Sequence, residues 1–176
     1  DAIFNITENA KIVSAPRTWR IYLEREWGEV LPPPDILLKD RAMGQPLLID
    51  LVADVVCPWC YLGWRRVKSA VALRPDVEPL IVWRPYQLDP TLPEQGVDRK
   101  AYMAGKFKDA LKLKAVHTAL VEAGAEEGIV FDFDAIALSP NTSAAHRLIR
   151  WAHGQGVQDA VVEGLFAAYF TQGRDI

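Results

Sequence analysis

The run Leu47-Leu48-Ile49-Asp50-Leu51-Val52-Ala53-Asp54-Val55-Val56 leads directly into Cys57-Pro58-Trp59-Cys60, and this junction decides the fold. The first ten residues are rich in Leu, Ile and Val and are bounded by Pro46 and Pro58, which predicts a buried strand over 47–56. From Trp59 to Leu73 the period changes. Leu62, Val67, Ala70 and Val71 recur at helical spacing, Arg65, Arg66 and Lys68 are left for solvent, and Pro75 ends the run. A second apolar run, Val77 to Trp83, predicts another strand. Strand, helix, strand is most economically a parallel pair joined by a right-handed crossover, with the two cysteines where the first strand becomes the helix.

That placement gives the cysteines a chemical meaning. A cysteine reacts as its thiolate, and the unpaired N–H groups and dipole of a helix N-terminus stabilise that anion. Thiols so placed ionise at about 3.5 to 7.5 rather than about 8.5, so a substantial thiolate fraction at neutral pH is expected for Cys57. Cys60, a turn later, is drawn beneath it. Cys57 is therefore the expected nucleophile and Cys60 the resolving thiol, while Pro58 and Trp59 stiffen the loop, remove one backbone donor and tune the balance of thiolate and disulfide. The chain has two cysteines and three histidines, His117, His146 and His153, which are dispersed; four-ligand structural zinc lacks its second pair, and no metal is expected. A structural disulfide across so tight a loop would constrain the unfolded chain little. Two inert buried cysteines remain an alternative.

Composition narrows the rest. The 176 residues are 50% hydrophobic, enough for one compact domain with a core. Charged residues are 24% with a net charge of −3, which disfavours a nucleic-acid partner. No stretch approaches the roughly 20 apolar residues of a membrane span, and no export signal is visible after Asp1, so a soluble, cytoplasmic protein is expected.

Three segments are expected. Residues 1–46 read as an N-terminal extension, loosely packed or non-native, punctuated by Pro32-Pro33-Pro34, with a short strand from Thr18 to Leu23 inside it. Residues 47–90 form the βαβ nucleus that carries the cysteines. Residues 91–176 form a helical block. In that block Asp98 caps one helix running through Leu120 to about Gly124, and Asn141 caps a second marked by Ala145, Leu148, Ile149 and Trp151. Val162, Leu165, Phe166 and Tyr169 mark a third, which Gly173 closes.

With these residues in view the sequence resembles the DsbA-like thioredoxin-fold oxidoreductases, most closely the FrnE-type branch. Asp54-Val55-Val56-Cys57-Pro58-Trp59-Cys60-Tyr61 is similar to the family's active-site block, and Trp83-Arg84-Pro85-Tyr86-Gln87-Leu88-Asp89-Pro90 to the segment after its next strand. Pro140-Asn141-Thr142 with Ala145-His146-Arg147-Leu148, and Leu165 to Phe170 through Gly173-Arg174-Asp175-Ile176, resemble its helical insertion, in the family's order. The resemblance implies an α/β, thioredoxin-like (DsbA-like) sheet nucleus with an inserted helical domain. It also implies disulfide exchange with protein or small-molecule thiols, without a bound cofactor, with glutathione as redox partner or co-substrate and a homodimer left open. Family members continue past the position of Ile176 into a strand, a cis-proline loop facing the cysteines and a closing helix. The chain is therefore expected to be C-terminally truncated, with Pro16 and the Thr18–Leu23 run a candidate to fill part of the vacancy.

Other residues carry two readings each. Asp54, next to the motif, is either a proton acceptor for Cys60 or a turn carboxylate. His146 can reach the thiol groove in the family arrangement, but a lone helical His is more often a packed or solvated bystander, so it is left out of the catalytic set. Trp83, Tyr86, Phe166, Tyr169 and Phe170 are read as core before groove, and Asn141 as a cap before a substrate ligand. Two rival functions stand beside exchange. One is a glutathione-dependent isomerase or transferase of the kappa-like or 2-hydroxychromene-2-carboxylate isomerase group, against which Cys57 argues because that group resembles a serine version of the position. The other is a non-enzymatic thioredoxin-fold chaperone or binding module.

Overall fold

The computed structural model describes residues 47–176. The Thr18–Leu23 strand, the triple proline and Pro16 lie outside the described residues. Strand β1 (Leu47–Ala53) is followed by helix α1 (Pro58–Ala72) and strand β2 (Pro79–Pro85). The two strands pair in parallel, Leu47 opposite Pro79 and Ala53 opposite Pro85, as the apolar runs predict.

The boundaries differ, for local reasons. β1 stops at Ala53 rather than Val56, because Cys57 N–H closes a turn onto Asp54 O at 3.0 Å; Asp54 therefore lies just past the strand. β2 begins at Pro79, since Val77 N–H is taken by Arg74 O at 3.0 Å in the preceding turn. It extends to Pro85, where Arg84 Nε donates to Asp50 Oδ1 at 2.8 Å, diagonally across the pair. On α1 the buried face is Tyr61, Leu62 and Trp64, whereas Ala70 is exposed. Aromatic area decided that face: Tyr61 stacks on Phe166 with centroids 4.8 Å apart, and Trp64 meets Trp83 edge-on at 5.0 Å.

Where one helix was expected from Asp98 to Gly124, two form: α2 (Arg99–Lys106) and α3 (Ala110–Glu126). Phe107 leaves the helix at φ −110° and ψ 96°, and Asp109 restarts it by accepting from Leu111 N at 2.9 Å and Lys112 N at 3.3 Å. Asp98 does cap α2, through Ala101 N at 2.8 Å, and ends the short strand β3 (Val97–Asp98), antiparallel to β4 (Leu138–Ser139). Helix α4 (Ser143–Gly154) has Thr142 rather than Asn141 at its N-cap. Asn141 accepts from Ser143 N at 3.0 Å and donates to Leu92 O at 2.7 Å, fastening the helix start to the preceding loop. The buried face of α4 is Ala145, His146, Ile149 and Ala152; Leu148 and Trp151, expected to pack, are exposed.

Helix α5 (Gln158–Phe170) supplies the centre of the core, with Val162 and Phe166 fully buried. Gly173 follows at φ 63°, a conformation that only glycine adopts cheaply, and lets Arg174 N–H return to Ala168 O at 2.8 Å. Gln158 and Asp159 also seal β2: Trp83 N–H donates to Gln158 Oε1 at 3.1 Å and its indole N–H to Asp159 Oδ1 at 3.0 Å. An edge-strand amide is thus satisfied by a helix side chain instead of another strand. Residues 47–90 and 91–176 share one aromatic core.

Candidate active site

The turn that ends β1 places Cys57 at the N-cap of α1 with φ −95° and ψ 111°, and Pro58 occupies the first helical position, where a missing N–H costs nothing. The Cys57 carbonyl accepts the N–H groups of Cys60 at 3.0 Å and Tyr61 at 3.2 Å, which sets the first turn. Both cysteines are free thiols and half-buried.

Their environments push them in opposite directions. The Cys60 thiol donates a hydrogen bond to the Cys57 sulfur, and this holds Cys57 below the ordinary thiol range. Burial opposes the shift, while backbone donors at Cys60 and Trp59 support it and the Asp54 charge works weakly against it. The Cys60 thiol is pushed far up, first because its proton is held by Cys57, then by burial and by the Cys57 charge. One sulfur is an anion in waiting. The other is the proton that steadies it.

Beneath the pair, Asp54 is 1% exposed. Its Oδ2 accepts Leu88 N–H at 2.7 Å, so the carboxylate ties the loop after β2 to the strand–helix junction. Its Oδ1 accepts no hydrogen bond, although His146 Nε2 lies 3.3 Å away. The two facts agree when direction is considered, because Nε2 is better aimed at the Tyr86 carbonyl at 3.0 Å. Asp54 thus combines a structural role with an open lone pair.

The structure brings Cys57, Pro58, Trp59, Cys60 and Asp54 together, with Trp59 half-buried against the core. It adds His146, expected as a packed or solvated helical residue outside the catalytic set: it is packed, 8% exposed, with Nε2 on the Tyr86 carbonyl and 3.3 Å from Asp54 Oδ1. Its position three residues before Ile149 was the available signal for an inward face. A second buried polar group, Arg99, has no signal in its local sequence. Arg99 donates to the Tyr169 hydroxyl at 3.0 Å, which donates to Leu138 O at 3.1 Å, and burial raises the Tyr169 phenol. Of the aromatics read as core, Trp83, Phe166, Tyr169 and Phe170 are buried and Tyr86 is exposed.

Against known proteins, the family model of the DSBA-like thioredoxin domain matches residues 48–176. The chain belongs to the DsbA-like thioredoxin family. A crystal structure of a "probable DsbA oxidoreductase" from Streptomyces coelicolor superposes with a TM-score of 0.65 at 25% identity, covering 73% of this chain and 56% of that one. The chain thus spans little more than half of that relative. Residues 1–47 match a separate model, type IV secretory system, conjugal DNA-protein transfer. No curated protein matches the chain. Among the described residues no helix is long and apolar enough to cross a membrane.

Proposed function

We propose that this DsbA-like chain is a thiol–disulfide oxidoreductase with Cys57 as nucleophile, Cys60 as resolving thiol and Asp54 as proton acceptor for Cys60. The observation that carries the reading is the placement of Cys57 at the N-cap of α1 with Cys60 one turn on, both free and half-buried, a setting in which the Cys60 thiol and the first backbone donors of the helix make Cys57 the readier anion. In the reducing direction Cys57 thiolate attacks a substrate disulfide, forms a mixed disulfide and expels one substrate thiolate, which takes a proton from solvent. Cys60 then gives its proton to Asp54 and attacks the Cys57 sulfur. The Cys57–Cys60 disulfide forms, and the second substrate thiolate leaves to receive that proton. Two electrons pass from the dithiol to the substrate, and the oxidising direction runs through the same atoms in reverse.

Substrates of this reading are protein or small-molecule thiols and disulfides, glutathione among them, and Pro58 and Trp59 set the equilibrium between dithiol and disulfide. The likeness of the blocks around Cys57–Cys60 and Trp83–Pro90 to the FrnE-type branch supports assigning the chain to that branch within the same proposal. The test is insulin reduction with dithiothreitol as electron source. Cys57→Ser is expected to abolish turnover, and Cys60→Ser to accumulate a mixed disulfide at Cys57. Turnover by C57S equal to wild type would overturn the reading.

A further inference from the structure

Asp54 presents an anomaly that the exchange cycle alone does not explain. A buried carboxylate oxygen without a donor loses its hydration and gains nothing in return, and such groups are rare in folded proteins. Yet Oδ1 accepts no hydrogen bond while an imidazole stands 3.3 Å away. The tautomer of that imidazole follows from its neighbour. A carbonyl only accepts, so Nε2, 3.0 Å from Tyr86 O, carries the hydrogen. Tyr86 is itself fixed, its N–H donating to Ala53 O at 3.2 Å as an extension of the parallel pair. His146 is fixed too, in the first turn of α4 with its N–H on Thr142 O at 2.9 Å. Gln87 draws that helix start inward, its Nε2 donating to Asn141 Oδ1 at 3.3 Å and Ser143 Oγ at 3.1 Å.

We propose that His146 is a positioning residue for the resolving step: its N–H, parked on the Tyr86 carbonyl beside Asp54 Oδ1, holds the carboxylate with that oxygen open as the proton-accepting atom for Cys60. The arrangement suits both states of Asp54. While Asp54 is anionic, the adjacent N–H dipole offsets part of the cost of its burial. When Oδ1 takes the Cys60 proton, His146 keeps its full hydrogen bond to Tyr86 O, so nothing on the imidazole is left unpaired. A direct, well-aimed bond to Oδ1 would instead occupy the lone pair that the reaction uses. His146 transfers no proton in this account, and it acts on the second half of the cycle, not on the attack by Cys57.

The inference rests on the exchange reading and is separable from it. The reduced 176-residue chain is mixed with glutathione disulfide, quenched in acid at successive times, alkylated and weighed, which resolves the glutathione adduct on Cys57 from the internal disulfide. Two variants are compared. His146→Met fills similar volume without a donor, and His146→Gln keeps an N–H near the position of Nε2. H146M is expected to form the adduct at the wild-type rate, within about twofold, and to resolve it about tenfold or more slowly, so that adduct accumulates. H146Q is expected to restore most of the resolving rate. Resolution by H146M within about twofold of wild type overturns the role of His146 while leaving exchange intact. Equal slowing of both steps in H146M and H146Q also overturns it, since that pattern is loss of structure. A wild-type chain that forms no Cys57 adduct defeats the exchange reading and this inference with it.

Discussion

At the scale of the residue, what distinguishes the two sulfurs is the ownership of one proton. The Cys60 hydrogen bond and the donors at the start of α1 hold Cys57 down, and the same bond with burial pushes Cys60 up. Between the folded value of Cys57 and the ordinary thiol value the native state therefore binds fewer protons than the unfolded chain, so stability of the reduced protein rises with pH across that window. It is lost as pH falls through the folded Cys57 value. Cys60 has the opposite sign: its contribution is intact below the ordinary thiol range and is lost only above it. In reductant, the melting temperature of wild type relative to Cys57→Ser is expected to rise as the pH is raised toward the ordinary thiol value. A flat difference would show that Cys57 is an ordinary thiol. The placement of this pair at a strand–helix junction was legible in the sequence, because an apolar run followed by helical spacing needs no distant information. Asp54 was half legible, since its neighbour in sequence is the motif but its partners Leu88 and His146 come from later segments.

At the scale of the element, strands and helices could be read where apolar period and punctuation agreed, and misread where one residue served two purposes. Gly124 shows the mechanism. Read as a terminator, it lies inside α3, which continues to Glu126. Its lack of a side chain serves packing instead, because a Cβ there would fall 2.7 Å from the Phe131 ring and 3.2 Å from Ile129 O. Nothing local in the sequence announces an aromatic ring that arrives seven residues later around a turn. Two effects of Gly124→Ala compete. Helix propensity favours alanine by about 0.5–1 kcal/mol, and overpacking costs about 1–3 kcal/mol, so a net loss of about 1–2 kcal/mol is expected. Urea unfolding of the reduced chain measures it, and a variant as stable as wild type would mean that Phe131 moves aside freely. The break between α2 and α3 has a similar lesson. Asp109 falls in the middle of a continuous amphipathic pattern, yet its carboxylate takes two backbone amides and starts a new helix there.

At the scale of the whole molecule, the parallel pair and the helical block stand or fall together, and Phe166 is the residue through which that is decided. It is fully buried, stacked on Tyr61 of α1 at 4.8 Å and set against Trp83 of β2 at 6.1 Å. Glu163, a turn earlier on α5, repeats the link in polar form, accepting from the Trp64 indole at 2.9 Å and pairing with Arg65 at 2.6 Å. The sequence shows the two paired strands and the inward face of α5 but not which ring meets which, since these contacts join residues about a hundred positions apart. Removing the Phe166 ring is expected to cost about 3–5 kcal/mol, a large part of the roughly 5–15 kcal/mol that holds a domain of this size. Because the ring belongs equally to both halves, Phe166→Ala is expected to lower amide protection in β1, β2 and α5 by the same factor, through global unfolding. Hydrogen exchange read by mass spectrometry checks it. Loss of protection confined to α4 and α5, with β1 and β2 unchanged, would mean that the dithiol rests on a nucleus able to hold its shape without the helices, and that the aromatic core is two cores in contact.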